Sequence, residues 1–556
     1  MKKTWWKESV VYQIYPRSFN DTTGNGIGDI YGIIEKLDHI KSLGADVIWL
    51  CPVYESPNDD NGYDISDYRT ISEDFGGQKA FDLLLESVHQ KDLKLVMDLV
   101  ANHTSDEHFW FEEAKKSKDN PYRDYYIWRD GNGDAPPTNW ESFFSGSAWQ
   151  YDETTEQYYL HYFTKKQPDL NWENPKVRKA IFDVIEYWFE KGVDGFRMDV
   201  ISLISKPTVF EDTMYSRFQD TIINVYANGP KIHDYLHEMN QTVLSKYDIM
   251  TVGEGPGIDL ENGLLYVDEK RKELDMVFHF DHLFIDCGEG GKYDPQPYDL
   301  TKFKKIFTDW DEALKNNGWG SIFLGNHDFS RMVSRFGTTG QHHKASSKLL
   351  ATLLLSMRGT VYIYQGDEIG MTNVAFPSID YYNDVETLNA WKAAKENGQD
   401  MDDFLRIVHS QSRDNARTPV QWNASKNGGF TSGTPWLPVN ENYVEINVEA
   451  QVNDPESILN FYRKMVRFRK EHPVLVYGEY ECFMEKHLEL FVYRRWDKDM
   501  ELLILLNMGE TEQLVSEPFH SDDYALKLTN VQAHQNDLFR LAPWQSKILE
   551  KKSSRQ

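Results

Sequence analysis

The sequence predicts an α/β fold, a parallel (β/α)₈ TIM barrel, and three observations support this prediction. The chain of 556 residues is long enough for a large buried core, it carries eight short apolar runs, and amphipathic helical patterns follow most of them. Apolar runs that alternate with helical segments are typical of parallel βα units. The predicted strands are residues 10–15, 45–50, 93–100, 195–200, 248–253, 275–280, 321–324 and 360–364.

Helical spacing is clearest in two connections of the predicted barrel. Residues 30–43 place Ile33, Leu37 and Ile40 on one face, and residues 176–191 place Val177, Ile181 and Val184 in the same way. These faces are expected to pack against the strands.

Two segments depart from the alternating pattern. The connection between the third and fourth strands is far longer than an ordinary βα loop and is rich in Trp, Tyr, Asn, Pro and Gly. Towards the end, residues 488–493 and 502–507 look like strands without helical partners. We therefore expect a catalytic barrel in residues 1–103 and 174–475, an inserted subdomain in 104–173, and a C-terminal antiparallel β-sandwich in 476–556.

Composition restricts the classes of partner. A formal net charge of −28 argues against nucleic acid, an anionic membrane or a polyanionic substrate as the main partner. No apolar run is long enough for a membrane helix, and no signal peptide pattern precedes the first strand. Three scattered cysteines, Cys51, Cys287 and Cys482, show no metal-ligand spacing and are expected to be free thiols. The expected location is the cytoplasm, as a monomer or homodimer.

Polar residues cluster where four predicted strands end. The third is followed by Asn102 and His103, the fourth carries Arg197 and Asp199, and the fifth is followed by Glu254. The seventh leads into Asn326, His327 and Asp328. The C-terminal ends of barrel strands surround one cleft, so these side chains are expected to converge.

Glycoside hydrolysis is the chemistry that fits these carboxylates. The oxocarbenium-like transition state needs one ionised carboxylate at C1 and one protonated carboxyl at the leaving oxygen. Arg197 lies two residues before Asp199, so both point to one side of the strand, and the cation is expected to keep Asp199 ionised. Glu254 has no cation adjacent in sequence, which suits an acid whose pKa must be raised.

These strand ends resemble the four signature regions of the α-amylase family of glycoside hydrolases. Four further stretches resemble the oligo-1,6-glucosidase and α-glucosidase subgroup of this family. They are Gln167-Pro-Asp-Leu-Asn171, Gln365-Gly-Asp-Glu-Ile-Gly370, Ser412-Arg-Asp-Asn-Ala-Arg417 and Pro435-Trp-Leu-Pro-Val-Asn440. The resemblance implies a retaining, exo-acting α-glucosidase that acts on short α-glucosides and needs no cofactor for catalysis.

The resemblance also implies roles for individual residues. Asp199 would be the nucleophile, Glu254 the general acid and base, and Asp328 the group that holds sugar hydroxyls. Asp60 and Arg413 would close the cleft beyond the terminal glucose. The other residues expected at the cleaved glucose or in the pocket wall are Tyr63, His103, Phe144, Phe163, Gln167, Arg197, Val200 and His327.

A loop near the start has alternating oxygen donors typical of a calcium site. Its candidate ligands are Asp21, Thr23, Asn25, Ile27 and Asp29. In the subgroup this loop can bind Ca²⁺, but here only two of the five residues are carboxylates, and fewer charged ligands lower affinity. The sequence leaves a structural Ca²⁺ and a metal-free turn both open.

Linkage preference depends on the residues around the acid and the nucleophile. Val200 resembles members that cleave α-1,6 links, whereas Ala or Thr at this position is typical of α-1,4-selective members. Gly255 stands where subgroup members often carry Met, and the fourth region reads Phe-Leu-Gly-Asn-His-Asp-Phe-Ser over residues 323–330. These departures leave action on maltose or sucrose open.

Three rival functions remain at this stage. A sucrose isomerase would carry an Arg- and Asp-rich loop after the sixth strand, which residues 281–287 lack. A trehalose-phosphate hydrolase would need a phosphate cradle, and none is evident in the sequence. A non-enzymatic amylase-like transporter chaperone would have a membrane span and would lack the carboxylates, contrary to this sequence.

Overall fold

The computed structural model describes residues 3–516 and 518–552. Its centre is a sheet of eight parallel strands, confirming the predicted barrel. The strands are β1 (Val10–Ile14), β2 (Val47–Leu50), β3 (Lys94–Val100), β4 (Gly195–Asp199), β5 (Met250–Glu254), β6 (Met276–Phe278), β7 (Ser321–Ile322) and β8 (Thr360–Tyr364).

The strand order is β6-β5-β4-β3-β2-β1-β8-β7, so strands consecutive in sequence pair with each other except β6 and β7, and β1 pairs with β8. The barrel closes between β6 and β7, where the Ser321 hydroxyl donates to the Val277 carbonyl at 2.8 Å. Nearly all strand residues are buried, which explains why the strands read as continuous apolar runs.

Helices surround this sheet and most bury one face, whereas residues 346–356 of the helix His343–Ser356 are buried on all sides. In Ile30–Leu43 the buried positions include Ile33, Leu37 and Ile40, as the sequence spacing predicts. The Asp29 carboxylate caps this helix by accepting from Gly32, and Gly44 ends it in the left-handed region at φ 92°. The other helices longer than six residues are Gly77–Gln90, Pro175–Lys191, Ile232–Thr242, Leu260–Val267, Leu300–Leu314, His343–Ser356, Val385–Glu396, Met401–Gln411 and Ile458–Glu471.

The long connection after β3 contains a small sheet of its own. Its antiparallel strands are Trp128–Arg129, Trp149–Asp152 and Gln157–Leu160. Trp140, Trp149 and Tyr162 form a separate apolar cluster, to which Leu203 and Tyr226 from the segment after β4 contribute. The connection is thereby packed onto the C-terminal side of the barrel.

The last part of the chain is an antiparallel β-sandwich. One sheet has five strands, in the order Glu479–Phe483, Leu490–Trp496, Glu501–Asn507, Ser546–Lys551 and Tyr524–Thr529, and the other pairs Gln513–Leu514 with Arg540–Leu541. Ser546 and Tyr493 of the larger sheet hydrogen-bond Thr352 and Ser356 on the helix before β8. The exact domain boundaries, 104–173 and 476–556 included, stay predictions.

Among the described residues, none of the helices combines the length and apolar character that a membrane span requires.

Candidate active site

A cavity of about 790 Å³ opens at the C-terminal ends of the barrel strands. Most of the residues predicted from sequence line it: Asp60, Tyr63, His103, Phe144, Phe163, Asp199, Val200, Glu254, His327, Asp328 and Arg413. The two others, Gln167 and Arg197, lie just behind the lining and contact its side chains. Side chains that are far apart in sequence therefore meet in one pocket, as barrel geometry requires.

Arg197 on β4 is the centre of a carboxylate cluster at the bottom of the cavity. Its Nη1 contacts Asp98 of β3 and lies 2.7 Å from Oδ1 of Asp199, and its Nη2 lies 2.6 Å from Oε2 of Glu254. Trp49 fixes Asp98 by donating to Oδ2 at 2.8 Å. The guanidinium is almost fully buried, so these charges interact through protein rather than through solvent.

This geometry corrects one expectation about Glu254. The sequence shows no adjacent cation, yet Arg197 reaches Glu254 because β4 and β5 are neighbouring strands. The contrast expected between a carboxylate with a cation and one without it is therefore wrong. One guanidinium contacts both groups, which brings the two carboxylates together on a single cation.

The protonation expected for Asp199 also changes. Burial raises the pKa of Asp199 well above its ordinary value; Arg197 lowers this pKa, whereas Glu254 and Asp98 raise it. Burial likewise raises the pKa of Asp98 to about 6. Three carboxylates share one cation, so the cluster as a whole favours uptake of a proton.

The backbone of Val200 connects Asp199, which precedes it in sequence, to Glu254. Its N–H donates to Oε2 of Glu254 at 3.0 Å. Its φ of 37° and ψ of 40° lie in the left-handed region, which is costly for a β-branched residue. The left-handed residue lies at the turn that leaves β4, directly after Asp199, and its N–H contacts Glu254.

A second charged cluster is centred on Arg413. Its Nη1 lies 3.2 Å from Oδ1 of Asp328 and its Nη2 lies 2.6 Å from Oδ1 of Asp384. Arg417 adds an ion pair of 2.9 Å to Asp328 and donates to the His327 carbonyl. Burial alone would raise the pKa values of Asp328 and Asp384. For Asp328, His327 followed by Arg413 and Arg417 outweighs burial, and for Asp384 Arg413 and Arg417 do so, which holds both pKa values well below the usual range.

Asp60 approaches the same arginine from the other side of the pocket. Its Oδ1 lies 3.5 Å from Nη2 of Arg413, and its Oδ2 accepts a hydrogen bond from Gln167 at 3.2 Å. Burial raises the pKa of Asp60 to about 7, against the effect of Arg413. Asp60 and Arg413 thus face each other in the lining of the cavity, and their role in closing one end of it stays a prediction. Within the described residues Asp60 Oδ1 has no hydrogen-bond partner.

Aromatic rings and two histidines form the remaining wall. His327 stacks on Tyr63 with ring centroids 5.3 Å apart, and His103 contacts Phe163 at 5.0 Å. Burial lowers the pKa of His327 to about 3 and of His103 to about 4, so both are neutral hydrogen-bonding groups at pH 7. Phe144 lies against Arg413, whose guanidinium carbon is 4.8 Å from the ring centroid.

Three contributors were missed from the sequence. Asp384 has no pattern that marks it, since it precedes a helix in a long connection after β8, where it caps Thr387. Arg417 ends the quoted stretch of residues 412–417 and could have been proposed from that motif. Asp98 lies within an apolar strand, where a buried carboxylate is itself a signal that a cation lies nearby.

The side of the cavity away from Asp60 is mostly apolar. Phe218, Ile222 and Ile223 line it from the segment after β4, and Phe280, Phe284 and Phe329 line it from the segments after β6 and β7. Like Arg413, the other cations of the lining are already paired with carboxylates: Lys292 with Glu386 at 2.8 Å and Arg217 with Asp220 at 2.6 Å. Residues 281–287 contribute no arginine.

The two carboxylates of the loop proposed for calcium accept hydrogen bonds from the protein. Asp21 accepts hydrogen bonds from Thr23, Gly24 and Gly26 and from the distant Thr431. Asp29 accepts from Thr22 and caps the following helix. In the part of the chain that the structure describes, no group of three or more His, Cys, Asp or Glu side chains could hold a metal ion. Because the proposed loop has only two carboxylates, this result does not decide its case, and a structural Ca²⁺ there stays a prediction.

The chain is similar to known proteins over most of its length. Residues 13–478 match the family described as alpha amylase, catalytic domain. The oligo-1,6-glucosidase of Parageobacillus thermoglucosidasius is 52% identical over 99% of both chains. The solved structure of Bacillus licheniformis trehalose-6-phosphate hydrolase superposes with a TM-score of 0.94, at 47% identity over 99% of this chain and 100% of that one. The isomaltulose synthase of Erwinia rhapontici NX5 gives 0.95, at 45% identity over 99% of both chains. The chain therefore belongs to the α-amylase family and is a glycoside hydrolase.

Proposed function

We propose that the protein is a retaining, exo-acting α-glucosidase that releases glucose from the non-reducing ends of short α-1,6-linked glucosides. The observation that carries the proposal is the pair Asp199 and Glu254 on one guanidinium, at the bottom of a cavity that Asp60 and Arg413 close at one end. A closed end admits one terminal sugar, which favours release of single glucose units.

In the first proposed step, a carboxylate oxygen of Asp199 attacks C1 of the terminal glucose. The bond from C1 to the glycosidic oxygen breaks, and Glu254 gives its proton to that oxygen. Arg197, 2.6 Å from Glu254, then stabilises the carboxylate that remains. The product is a glucosyl ester on Asp199 and a free sugar with a new hydroxyl group.

In the second proposed step, Glu254 takes a proton from water as the water oxygen attacks C1. The ester bond to Asp199 breaks, and the carboxylate returns to Arg197. Two inversions at C1 give net retention of the α configuration. Asp328, kept ionised by Arg413 and Arg417, is placed to accept hydrogen bonds from sugar hydroxyls, and both reacting groups belong to the chain, so no cofactor is required.

The α-1,6 preference is supported by Val200 and by the similarity to an oligo-1,6-glucosidase. Trehalose 6-phosphate is the second candidate substrate, because a relative with this hydrolase activity in its name is 50% identical over 92% of this chain. The paired state of Lys292 and Arg217 argues against it, since a phosphate group would need a cation free of carboxylates.

Products distinguish these substrates directly. The protein is incubated with isomaltose, maltose, sucrose and trehalose 6-phosphate, and products are separated by chromatography. The proposal expects glucose from isomaltose at the highest kcat/KM, released first as the α anomer in proton NMR. No glucose from any of the four, or isomerised sucrose as the main product, would refute it.

Location and assembly are also proposals. The cysteines Cys51, Cys287 and Cys482 are free in the structure, which is typical of proteins in a reducing compartment and supports the cytoplasm. A monomer or a homodimer both remain open, and light scattering coupled to size exclusion would distinguish them.

A further inference from the structure

A second cavity of about 570 Å³ lies between the connection after β3 and the barrel. Arg123, Trp128 and Arg129 line it from the connection, and Phe210 and Lys231 line it from the segment between β4 and β5. It shares no lining residue with the active-site cavity. Its volume is in the range of sites that hold small organic ligands.

The lining of this second cavity is basic, although the whole chain carries a net charge of −28. Five basic and two acidic side chains contribute: Lys118, Arg123, Arg129, Lys206 and Lys231 against Asp124 and Glu173. Two of the lysines are paired, Lys206 with Asp169 at 2.6 Å and Lys231 with Glu173. The positive charge that is not compensated comes mainly from the two arginines.

Arg123 is a buried cation that contacts only neutral oxygen atoms. Its side chain donates to the Ala114 carbonyl at 3.0 Å, to Thr155 at 2.9 Å and to Gln157 at 2.7 Å. Its guanidinium carbon lies 3.4 Å from the Trp128 ring centroid. Throughout residues 3–516 and 518–552 it makes no ion pair with a carboxylate, and burial lowers its pKa to about 10.

Arg129 is exposed at the mouth of the same cavity and is also without an ion pair among the described residues. It donates to the Trp128 carbonyl at 2.7 Å, and its guanidinium carbon lies 4.4 Å from the Phe210 ring centroid. Asp152 and then Asp124 raise the pKa of Arg123 by their charge, and Asp124 raises that of Arg129, but neither carboxylate forms an ion pair with either arginine. The Arg129 guanidinium is thus held in place by the Phe210 ring and the Trp128 carbonyl, and most of its N–H donors are available.

We propose that this cavity binds a small phosphate ester, with Arg129 making the ion pair and Arg123 supplying fixed positive charge behind it. A guanidinium matches a phosphate group with two parallel hydrogen bonds. The rest of this acidic chain repels anions, so a basic recess concentrates them locally. The cavity is much larger than an inorganic phosphate ion, which favours an ester over the free ion.

Calorimetric titration at low ionic strength tests this proposal with glycerol 3-phosphate and inorganic phosphate as probes. Neither probe is a sugar, which avoids competition for the glucose site. We expect glycerol 3-phosphate to bind more tightly, with affinity falling as salt is added. Equal affinities would refute the preference for an ester and leave phosphate itself as the ligand. If neither probe bound, the proposal of a binding site in this cavity would be refuted.

The variant Arg129→Gln locates the binding. We expect this variant to weaken the binding of glycerol 3-phosphate roughly tenfold to a hundredfold, because it loses a charge-assisted hydrogen bond. The control is Arg69→Gln, since Arg69 is an exposed arginine that also lies over a ring, 5.3 Å from the centroid of Tyr187, outside the cavity. Glucosidase activity near that of the wild type would show that both variants are folded. Equal weakening by both variants, or by neither, would contradict the proposal.

Discussion

Two arginine-centred clusters contribute to the same cavity and hold their carboxylates in different states. Around Arg197, three carboxylates share one cation, and burial raises the pKa of Asp199. Around Arg413 and Arg417, two cations hold Asp328 and Asp384, and the pKa values of both acids are lowered.

The ratio of cations to carboxylates explains the difference. The Arg197 cluster has too little positive charge for all its acids to ionise, so it can hold a proton and release it, as acid–base chemistry requires. Arg413 and Arg417 face Asp328 and Asp384 directly and keep these two acids ionised, which suits hydrogen bonding to sugar hydroxyls, whereas Asp60, 3.5 Å from Arg413, has its pKa raised to about 7. Burial is common to both clusters, so burial by itself does not mark a reacting group.

The largest expected effect is loss of turnover when either reacting carboxylate is removed. Asp199→Ala should lower kcat by about 10⁴-fold, and with azide it should give β-glucosyl azide, because azide attacks from the side of the missing carboxylate. Glu254→Ala, assayed with p-nitrophenyl α-glucoside, should give α-glucosyl azide, because azide replaces water in the second step. Product NMR checks both, and exchanged anomers would reverse the two assignments.

A smaller but general effect is expected from Arg413→Ala. Asp384 is fully buried and would lose its closest cation, so the free energy of unfolding should fall by about 3–5 kcal/mol, measured in urea. KM should rise as well, because Asp328 loses one of its two arginines. Asp60→Asn is the control: it removes a charge at the same end of the cavity without removing a cation. Equal stability of the two variants would contradict the view of Arg413 as the centre of the cluster.

The proton-holding behaviour of the Arg197 cluster can be tested by pH. Asp98 raises the pKa of Asp199, so Asp98→Asn removes an anion, favours ionised Asp199, and should move the acid limb of kcat/KM to lower pH. The expected shift is up to about one pH unit. Asp384→Asn, in the other cluster, should leave the limb in place even if KM rises. A shift to higher pH in Asp98→Asn would show that the sign is wrong.

The smallest predicted effect concerns linkage. Val200→Thr should lower the ratio of kcat/KM for isomaltose to that for maltose by roughly tenfold, because a hydroxyl replaces a methyl group beside the reacting carbon. Val200→Ile keeps the position apolar and β-branched, so its ratio should stay close to that of the wild type. An unchanged ratio in Val200→Thr would remove Val200 from the argument for α-1,6 specificity.

Much of the fold could be predicted because barrel strands are buried on both faces. Each predicted run lies within a few residues of an observed strand, and the strand ends bring Asp199, Glu254 and Asp328 to one cavity. Local patterns could not predict contacts between neighbouring strands, and this is why the cation beside Glu254 was missed. Its partner, Arg197, is more than fifty residues away in sequence but one strand away in space.

Hydrogen bonds between distant segments limited prediction elsewhere. The oxygen pattern of residues 21–29 left calcium open, and it could not indicate that Asp21 accepts a hydrogen bond from the distant Thr431. Asp384 joins the site from a connection that carries no periodic signal. In both cases a carboxylate was visible in the sequence, whereas its partner depended on the tertiary fold.

Phe144 makes two contacts that connect separate excursions from the barrel. Its ring covers Arg413, and its carbonyl accepts a hydrogen bond from Asn389, on the helix Val385–Glu396, at 2.6 Å. The closed end of the pocket is therefore built where the connection after β3 meets the connection after β8. The barrel carries Asp199 and Glu254, and under the proposed function the two excursions would limit how many sugar units fit beyond them. Product length could consequently diverge during evolution by loop exchange alone, while the chemistry on β4 and β5 stays the same.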